Sequence, residues 1–246
     1  MRFPLAVLLL GIAVLACDGA QTQPSPGRHV TVLFIGNSLT YANDLPSMVA
    51  ALAARSGDRV VQTSVSVPNY SLEDHWNDGR ALQEISKGGW DVVVLQQGPS
   101  SLPASRVELV FDAERFAAEA AKVGATVALF SVWPSTDRLA FFDDVSASYA
   151  AAADSTDGLL FPAGEAWRAA WSRDPGLEFF SSDGFHPTEL GSYLAALVIY
   201  QQLTGRSPEG LGTSFDWPAG HLDLTASQSK ILGESAALAN GNFARP

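Results

Sequence analysis

Two short motifs, far apart in the chain, contain residue types that could carry out nucleophilic catalysis. Ser38 lies in FIGNSLTYAND (residues 34–44), directly after an apolar run, and Asp183 stands three residues before His186 in SSDGFHPTELGSYL. A serine hydroxyl becomes a nucleophile when a base removes its proton, and an Asp close to a His can orient the imidazole for that task. Each motif alone is more often a turn or a helix cap, so the elements that position them decide between the two interpretations.

Two other loops offer donors that could stabilise a negatively charged oxygen. The segment VPNYSLEDHW presents the backbone N–H of Asn69, and VVVLQQGPSS places Gln96 and Gln97 at the end of an apolar run. A backbone N–H and an amide side chain are both suitable donors to an oxyanion. We assign Gln97 to this role and keep Gln96 as the alternative, although either glutamine could be a polar cap on a strand.

Strand-like and helix-like segments alternate along the chain. Apolar or alternating patterns predict strands at 29–36, 59–67, 90–97, 125–134 and near 158–161. Amphipathic patterns and helix caps predict helices at 44–57, 71–89, 104–124, roughly 139–153, 162–171, 186–205 (with Pro187 in its first turn) and within 224–240. This alternation predicts an α/β fold with a mainly parallel sheet covered by helices on both faces. Ligands of such sheets bind beyond the carboxyl ends of the strands, where the four candidate loops lie.

Composition limits the class of protein. The chain has 246 residues, of which 47% are hydrophobic, so we assign residues 29–246 to a single domain with a sizeable core. The formal net charge of −11 disfavours nucleic acid as a partner, because an acidic surface repels phosphate groups. There is no CxxC or HExxH pattern, and the four histidines are too scattered to indicate a zinc site: His29, His75, His186 and His221.

The N-terminal segment has the pattern of an exported protein. Arg2 precedes an apolar run (3–16) that is too short to span a bilayer comfortably, so we assign residues 1–16 to a signal peptide. The run ends in VLAC, which resembles a bacterial lipobox and implies lipid attachment to Cys17. The alternatives are an ordinary secretory signal with a chance cysteine, or a buried thiol. Residues 17–28 are typical of a flexible tether, and a lipidated Cys17 would anchor the protein to a bacterial membrane, facing the periplasm or the exterior.

Taken together, the four loops resemble the SGNH (GDSL-like) hydrolase family, over roughly residues 29–204. GNSLT (36–40) matches the block that carries the nucleophile, and DGFHP (183–187) matches the block that carries Asp and His. The resemblance implies a flavodoxin-like three-layer α/β/α sandwich. It also implies ester hydrolysis through a serine acyl-enzyme, with neither a metal nor an organic cofactor.

Carried over by position, the resemblance makes Ser38 the nucleophile and, through its N–H, an oxyanion donor. His186 is then the general base and later the general acid, and Asp183 orients it. The chain departs from the family at two positions, because Asn69 stands where glycine is usual and Gln97 stands where an asparagine is usual. A side chain at Asn69 crowds the pocket but leaves the backbone donor in place, and Asn tolerates a positive φ better than most residues.

The leading functional hypothesis is a serine esterase that acts on a small-molecule or glycan ester, with an O-acetyl or short-acyl ester of a carbohydrate as the first choice. One alternative is a lipase, lysophospholipase or thioesterase of longer acyl chains. The other is a non-catalytic carbohydrate-binding protein on a degenerate hydrolase scaffold. The sequence leaves the acyl group, the alcohol and the oligomeric state open.

Several other residues invite a functional interpretation. His75 could be a second base, although a helix residue near the rim is the stronger interpretation. Trp76 and Trp133 could line a pocket or equally belong to the core. His221 lies in a segment rich in Pro and Gly, where we expect it to have no partner.

Overall fold

Five short segments form a parallel β-sheet in the order β2-β1-β3-β4-β5. The strands are β1 (His29–Gly36), β2 (Arg59–Ser66), β3 (Val92–Leu95), β4 (Thr126–Phe130) and β5 (Leu159–Phe161). Residues 32–35 of β1 and all of β3 are buried, which explains their continuous apolar sequences. This computed structural model describes residues 27–243, so the predicted signal peptide and Cys17 lie outside the described residues.

Helices connect the strands and continue beyond the last one. They are α1 (Ser38–Tyr41), α2 (Leu45–Arg55), α3 (Leu72–Asp78), α4 (Arg80–Ser86), α5 (Pro103–Lys122), α6 (Phe142–Thr156), α7 (Ala163–Trp171), α8 (Glu189–Thr204) and α9 (Ala226–Phe243). Short 3-10 helices cover Ala42–Asp44 and Thr136–Phe141. Helices α2, α7, α8 and α9 pack in one group and α3 to α6 in another, so the predicted three-layer α/β/α sandwich is confirmed. The strand order is the flavodoxin-like one, in which ligands bind where the order reverses, between β1 and β3.

The structure differs from the predicted elements chiefly in three places, apart from the unpredicted α1 and the shorter strands β3 and β4. The helix expected over 71–89 is divided into α3 and α4 at Gly79, whose φ of 79° is incompatible with a continuous helix. Helix α8 begins after Thr188, whose hydroxyl caps it, so Pro187 precedes the helix instead of lying in its first turn. An antiparallel hairpin of β6 (Ser214–Trp217) and β7 (Gly220–Asp223) was not predicted.

Packing explains two of the ambiguous aromatic residues. Trp133 is fully buried and stacks on Trp167 with ring centroids 3.5 Å apart, so it belongs to the core. Trp76 packs edge-on against Phe116, and the guanidinium of Arg115 lies over the Trp76 ring at 4.4 Å. Between residues 27 and 243, no helix combines the length and the apolar character needed to cross a membrane.

Candidate active site

The first candidate loop leaves the carboxyl end of β1 and turns directly into α1. Asn37 caps α1, because its Oδ1 accepts a hydrogen bond from the N–H of Leu39 at 3.1 Å. Ser38 is therefore the first residue of α1, and 8% of it is exposed. The Asn37 amide also donates to the carbonyl of Tyr70 at 3.0 Å, which joins this loop to the loop after β2.

Gln96, at the end of β3, holds the first loop in place. Its Oε1 accepts from the N–H of Asn37 at 2.9 Å and from the hydroxyl of Thr40 at 2.6 Å. Its Nε2 donates to Asn37 Oδ1 at 3.0 Å and to the carbonyl of Gln97. Gly36 leaves room for this contact, since a Cβ there would collide with both Gln96 Oε1 and the Thr40 hydroxyl. Gln96 is fully buried and all its polar atoms are bonded within the protein.

His186 lies between Ser38 and Asp183. Its Nε2 is 2.8 Å from Ser38 Oγ, and its Nδ1 is 2.6 Å from Asp183 Oδ2. The other oxygen, Asp183 Oδ1, accepts from the N–H groups of Phe185 and His186 at 2.9 Å. It also accepts from the hydroxyl of Ser181 at 2.8 Å. These bonds, with that to the His186 side chain as the largest contribution, hold the pKa of Asp183 well below its usual range.

This charge distribution has a direct consequence for the imidazole. An ionised carboxylate beside Nδ1 favours the tautomer that carries its proton on Nδ1. In that tautomer Nε2 is an acceptor, and the hydroxyl of Ser38 can donate to it. The arrangement is therefore suited to moving the serine proton onto the histidine.

Contacts from the neighbouring loop fix the position of the histidine loop. The N–H of Thr136 donates to the carbonyl of Gly184 at 2.8 Å, and the indole of the buried Trp133 donates to the carbonyl of Phe185 at 3.1 Å. On the other side, the amide of Asn43 donates to the carbonyl of Pro187 at 3.0 Å. The loop that carries His186 is thus held from both sides, by segments that follow β4 and α1.

The predicted oxyanion donors lie around the same cavity as Ser38. This cavity has a volume of about 320 Å³ and is lined by Asn37, Ser38, Asn69, Tyr70, Ser71, Gln97, Gly98, Pro99, Ser100, Ser105 and Phe185. Asn69 has a φ of 62°, in the left-handed region that Asn adopts more readily than most other residues. Gln96, the alternative donor, is absent from this lining because its side chain is directed to Asn37 and Thr40.

Gln97 is held by contacts on both ends of its amide. Leu72 is the first residue of α3, and its N–H donates to Gln97 Oε1 at 3.0 Å. Gln97 Nε2 donates to the hydroxyl of Ser100 at 2.8 Å. An amide nitrogen carries two hydrogens, so Gln97 retains one donor for a ligand in the cavity.

Tyr149 contacts the backbone of Gln97, and sequence reasoning did not identify it. Tyr149 is buried on α6, and its hydroxyl donates to the carbonyl of Gln97 at 2.7 Å and accepts from the Gln97 N–H at 3.2 Å. Burial raises the pKa of Tyr149 far above its usual range, so the hydroxyl keeps its proton. Tyr149 is 52 residues from Gln97 in the chain, and no local pattern links the two.

Two further histidines have structural roles that differ from each other. His75 is fully buried, and its Nε2 lies 2.7 Å from the carbonyl of Gly36, to which it donates. The interpretation of His221 was wrong, because it bonds to Asp216 at 2.6 Å and to Asp223 at 3.0 Å across the unpredicted hairpin. No group of His, Cys, Asp and Glu side chains in the described part of the chain is arranged to hold a metal ion.

Comparisons with known proteins find similarity in structure. No protein-family model and no curated protein sequence matches this chain. A proposed SGNH hydrolase from Slackia heliotrinireducens matches with a TM-score of 0.60 and 24% identity, over 71% of this chain and 98% of that one. A DUF4886 family protein from Bacteroides uniformis matches with a TM-score of 0.74 and 17% identity, over 87% of this chain and 95% of that one.

A third solved structure is an acetylxylan esterase from Geobacillus stearothermophilus, in a catalytic mutant form. It matches with a TM-score of 0.50 and 16% identity, over 71% of this chain and 94% of that one. These similarities concern the overall fold. The chain therefore has the three-layer α/β/α fold of the SGNH hydrolases.

Proposed function

We propose that this protein is a serine esterase that hydrolyses carboxylic esters. The observation that carries the proposal is the continuous contact from Asp183 through His186 to Ser38, with distances of 2.6 and 2.8 Å. A serine beside an oriented imidazole is the arrangement that acyl transfer requires. The position of Ser38 where the strand order reverses, on the rim of an open cavity, gives an ester access to it.

In the proposed mechanism, Ser38 Oγ attacks the ester carbonyl while His186 Nε2 takes the hydroxyl proton. Asp183 stabilises the imidazolium that forms. The carbonyl oxygen becomes an oxyanion, which accepts hydrogen bonds from the N–H groups of Ser38 and Asn69 and from Gln97 Nε2. When the tetrahedral intermediate collapses, His186 returns the proton to the leaving alcohol and an acyl-enzyme remains.

The second half of the reaction uses the same groups. Water takes the place of the alcohol, and His186 removes a proton from it as it attacks the acyl carbonyl. The oxyanion again forms beside Ser38, Asn69 and Gln97. Collapse then breaks the bond to Ser38, whose oxygen recovers its proton from His186, and the free acid leaves.

Within this class we propose a short-acyl ester, with an O-acetyl group on a carbohydrate as the substrate. The lining of the cavity beside Ser38 includes no aliphatic side chain of Leu, Ile, Val or Met from the described residues. A long acyl chain gains about 0.8 kcal/mol for each CH₂ that it buries, and the apolar side chains available to it in this lining are those of Tyr70, Pro99 and Phe185. Serine and amide side chains suit a polyhydroxylated alcohol instead, and an acetylxylan esterase has the same overall fold.

The location of the reaction is also a proposal. The signal-like segment 1–16 and the VLAC sequence that ends at Cys17 support export and lipid attachment. Mass spectrometry of the N-terminal peptide from bacterial membranes would test this, since a diacylglycerol adduct is expected on Cys17. A mature N-terminal peptide that carried an unmodified Cys17, or that began at another residue, would contradict the proposed anchor.

A fluorophosphonate probe and a set of p-nitrophenyl esters test the proposed reaction. We expect the probe to label the protein and to leave Ser38→Ala unlabelled, because phosphonylation requires the activated hydroxyl. Turnover should fall by several orders of magnitude in Ser38→Ala and by nearly as much in His186→Ala. Equal labelling of Ser38→Ala would exclude Ser38 as the nucleophile, and an optimum at eight carbons or more would exclude the short-acyl specificity.

A further inference from the structure

A second cavity adjoins the one beside Ser38. It has a volume of about 290 Å³ and is lined by Pro99, Ser100, Ser101, Leu102, Ser105, Pro134, Ser135, Arg138 and Phe185. Four residues line both cavities: Pro99, Ser100, Ser105 and Phe185. One of the shared residues, Phe185, directly precedes His186, so the histidine loop contributes to both spaces. We call this second space the Arg138 cavity.

Arg138 is the one charged side chain among the described residues that line this cavity. Its Nη2 donates to the hydroxyl of Ser101 at 3.2 Å, and its guanidinium lies over the ring of Phe141 at 4.9 Å. No carboxylate from residues 27–243 lies within the 4.0 Å of an ion pair with it. Asp137, its neighbour in sequence, is exposed and accepts from the hydroxyl of Ser135.

This absence of a counter-charge is informative in so acidic a chain. The formal net charge is −11, with 26 acidic residues against 15 basic ones. A guanidinium has five N–H donors in a rigid fork, and the only protein acceptor recorded for Arg138 among the described side chains is Ser101. A half-buried cation with several free donors inside a cavity is suited to a planar anion, which a guanidinium can bind through two parallel hydrogen bonds.

The backbone holds Arg138 in a defined position relative to the catalytic loop. Arg138 lies in the 3-10 helix Thr136–Phe141, after the carboxyl end of β4. The N–H of Thr136 donates to the carbonyl of Gly184, two residues before His186, at 2.8 Å. The N–H of Arg138 donates to the carbonyl of Ser135 at 2.9 Å. A group bound by Arg138 would therefore have a fixed relation to His186 and Ser38.

We infer that the Arg138 cavity binds a carboxylate on the substrate, so that the preferred ester belongs to an acidic sugar. This inference rests on the proposed esterase function and makes its substrate class more specific. A uronate meets the requirement, because it carries both an acyl ester for Ser38 and a carboxylate for Arg138, and the two cavities adjoin. The contact between Arg138 and the carboxylate raises specificity, because it binds a part of the substrate that does not react.

Binding and turnover can be measured separately with two matched ligands, an O-acetylated methyl glucuronide and the equivalent O-acetylated methyl glucoside. The two sugars differ at C6 alone, which is a carboxylate in the glucuronide and a hydroxymethyl group in the glucoside. Calorimetric titration of the Ser38→Ala protein reports binding without hydrolysis. We expect it to bind the glucuronide about 10-fold or more tightly than the glucoside, as a charge-assisted contact predicts. Arg138→Gln keeps a donor for Ser101, and in the same background it should abolish this preference.

Arg59→Gln is the matched control, because it removes the same charge from an exposed residue at the start of β2, at the opposite end of the strands from Ser38. The preference should survive in this variant, and its loss there would attribute the effect to net charge and overturn the role of Arg138. Equal binding of the two sugars, or an undiminished preference in Arg138→Gln, would also overturn the inference. Tighter binding of a 6-sulfated or 6-phosphorylated sugar would overturn the carboxylate specificity.

Turnover by the protein with Ser38 intact distinguishes the two proposals. Hydrolysis of both acetates at equal kcat/KM would sustain the esterase function and contradict the acidic-sugar inference. Binding selectivity for the glucuronide without any acetate release would sustain the role of Arg138 and contradict the esterase function. We expect the glucuronide ester to have the higher kcat/KM, and Arg138→Gln to lower it about 10-fold while changing that of the glucoside ester less than twofold.

Discussion

Asn37 and Gln96 exchange two hydrogen bonds across the carboxyl ends of β1 and β3. The N–H of Asn37 donates to Gln96 Oε1 at 2.9 Å, and Gln96 Nε2 donates back to Asn37 Oδ1 at 3.0 Å. This pair fixes the turn that presents Ser38. With its further bonds to the Thr40 hydroxyl and the Gln97 carbonyl, the Gln96 amide has no donor left. The neighbouring Gln97 is therefore the glutamine with a donor left for the cavity. The sequence left both glutamines as candidate oxyanion donors, and variants at the two positions can distinguish them.

Gln97→Glu should impair catalysis. A glutamate keeps an oxygen to accept from the N–H of Leu72 but loses the amide donor and adds a negative charge beside the oxyanion. We expect kcat to fall by about 10²–10³, as for the loss of an oxyanion donor. The melting temperature should fall as well, because Gln97 is only 5% exposed and a carboxylate is costly to bury. Steady-state kinetics on a p-nitrophenyl ester and a thermal melt measure the two quantities.

Gln96→Ala is the companion variant, and it should first of all affect stability. It leaves the Asn37 N–H and the Thr40 hydroxyl without their acceptor, at a cost of about 1–3 kcal/mol for each buried group. The melting temperature should drop, and activity should fall with it because the Ser38 turn loosens. If Gln97→Glu kept near-normal kcat, Gln97 would not be the oxyanion donor.

Asp183→Asn should reduce activity strongly, although the Asp and Asn side chains have nearly the same size and shape. An amide nitrogen in place of Oδ2 would donate to His186 Nδ1 and favour the tautomer with its proton on Nε2, which cannot accept from Ser38. We expect kcat to fall by about 10³–10⁴. Ser181→Ala is the control, since two backbone N–H groups still bond to Asp183 Oδ1, and its kcat should stay within a few-fold.

The pH profile offers a check on the same carboxylate. The pKa of Asp183 is lower in the folded protein than in the unfolded chain. The ionised Asp183 therefore stabilises the fold above about pH 4, and this stabilisation is lost as the pH falls further. Asp183 therefore remains ionised from pH 5 to 9. An activity limb in that range that disappeared in Asp183→Asn, with the rest of the activity kept, would contradict the assigned role.

Asn69→Gly and Asn69→Ala separate the backbone donor from the side chain. Both variants keep the N–H that we propose for the oxyanion, so kcat should remain within a few-fold in each. The φ of 62° favours Gly, whereas Ala in the left-handed region should cost about 1 kcal/mol or more, which is about 2–4 °C in melting temperature. A loss of kcat above 100-fold in Asn69→Gly would mean that the Asn69 side chain takes part in the reaction.

His75 should make the protein less stable in weak acid. Burial lowers the pKa of His75 below its ordinary value of about 6.5, so the unfolded chain takes up a proton that the folded protein does not. Stability therefore falls as the pH decreases below about 6.5. His75→Gln keeps a donor for the carbonyl of Gly36 but cannot titrate, and its melting temperature should fall less than that of the native chain between pH 7.5 and 5.5.

His221 provides a control of opposite sign. Bonds to Asp216 and Asp223 raise the pKa of His221 in the folded protein. The protonated His221 therefore stabilises the fold in weak acid, and this stabilisation is lost as the pH rises through the raised pKa. His221→Gln should therefore lose more stability than the native chain on the same decrease in pH. A parallel response of His75→Gln and the native chain would show that His75 does not take up a proton on unfolding in this range.

The local features of this fold were determined by the sequence alone. Continuous apolar runs are sufficient to predict β1 and β3, because a strand buried on both faces requires them. Capping residues and glycines mark several helix ends, such as Ser71 and Gly79 at the two ends of α3. The two motifs around Ser38 and His186 were recognisable because each is contained within a few residues, and their order along the chain supported a shared rim.

Only the tertiary structure decided how the side chains meet. The choice between Gln96 and Gln97 depends on which amide reaches Asn37, and Tyr149 reaches Gln97 from 52 residues away. The partners of His221 follow from the register of a hairpin that has no strong pattern, and Arg138 faces a cavity formed by separate loops. Hydrogen bonds between distant residues depend on strand order, register and packing. A single sequence specifies local periodicity and caps directly, but these contacts form only when the whole chain has folded.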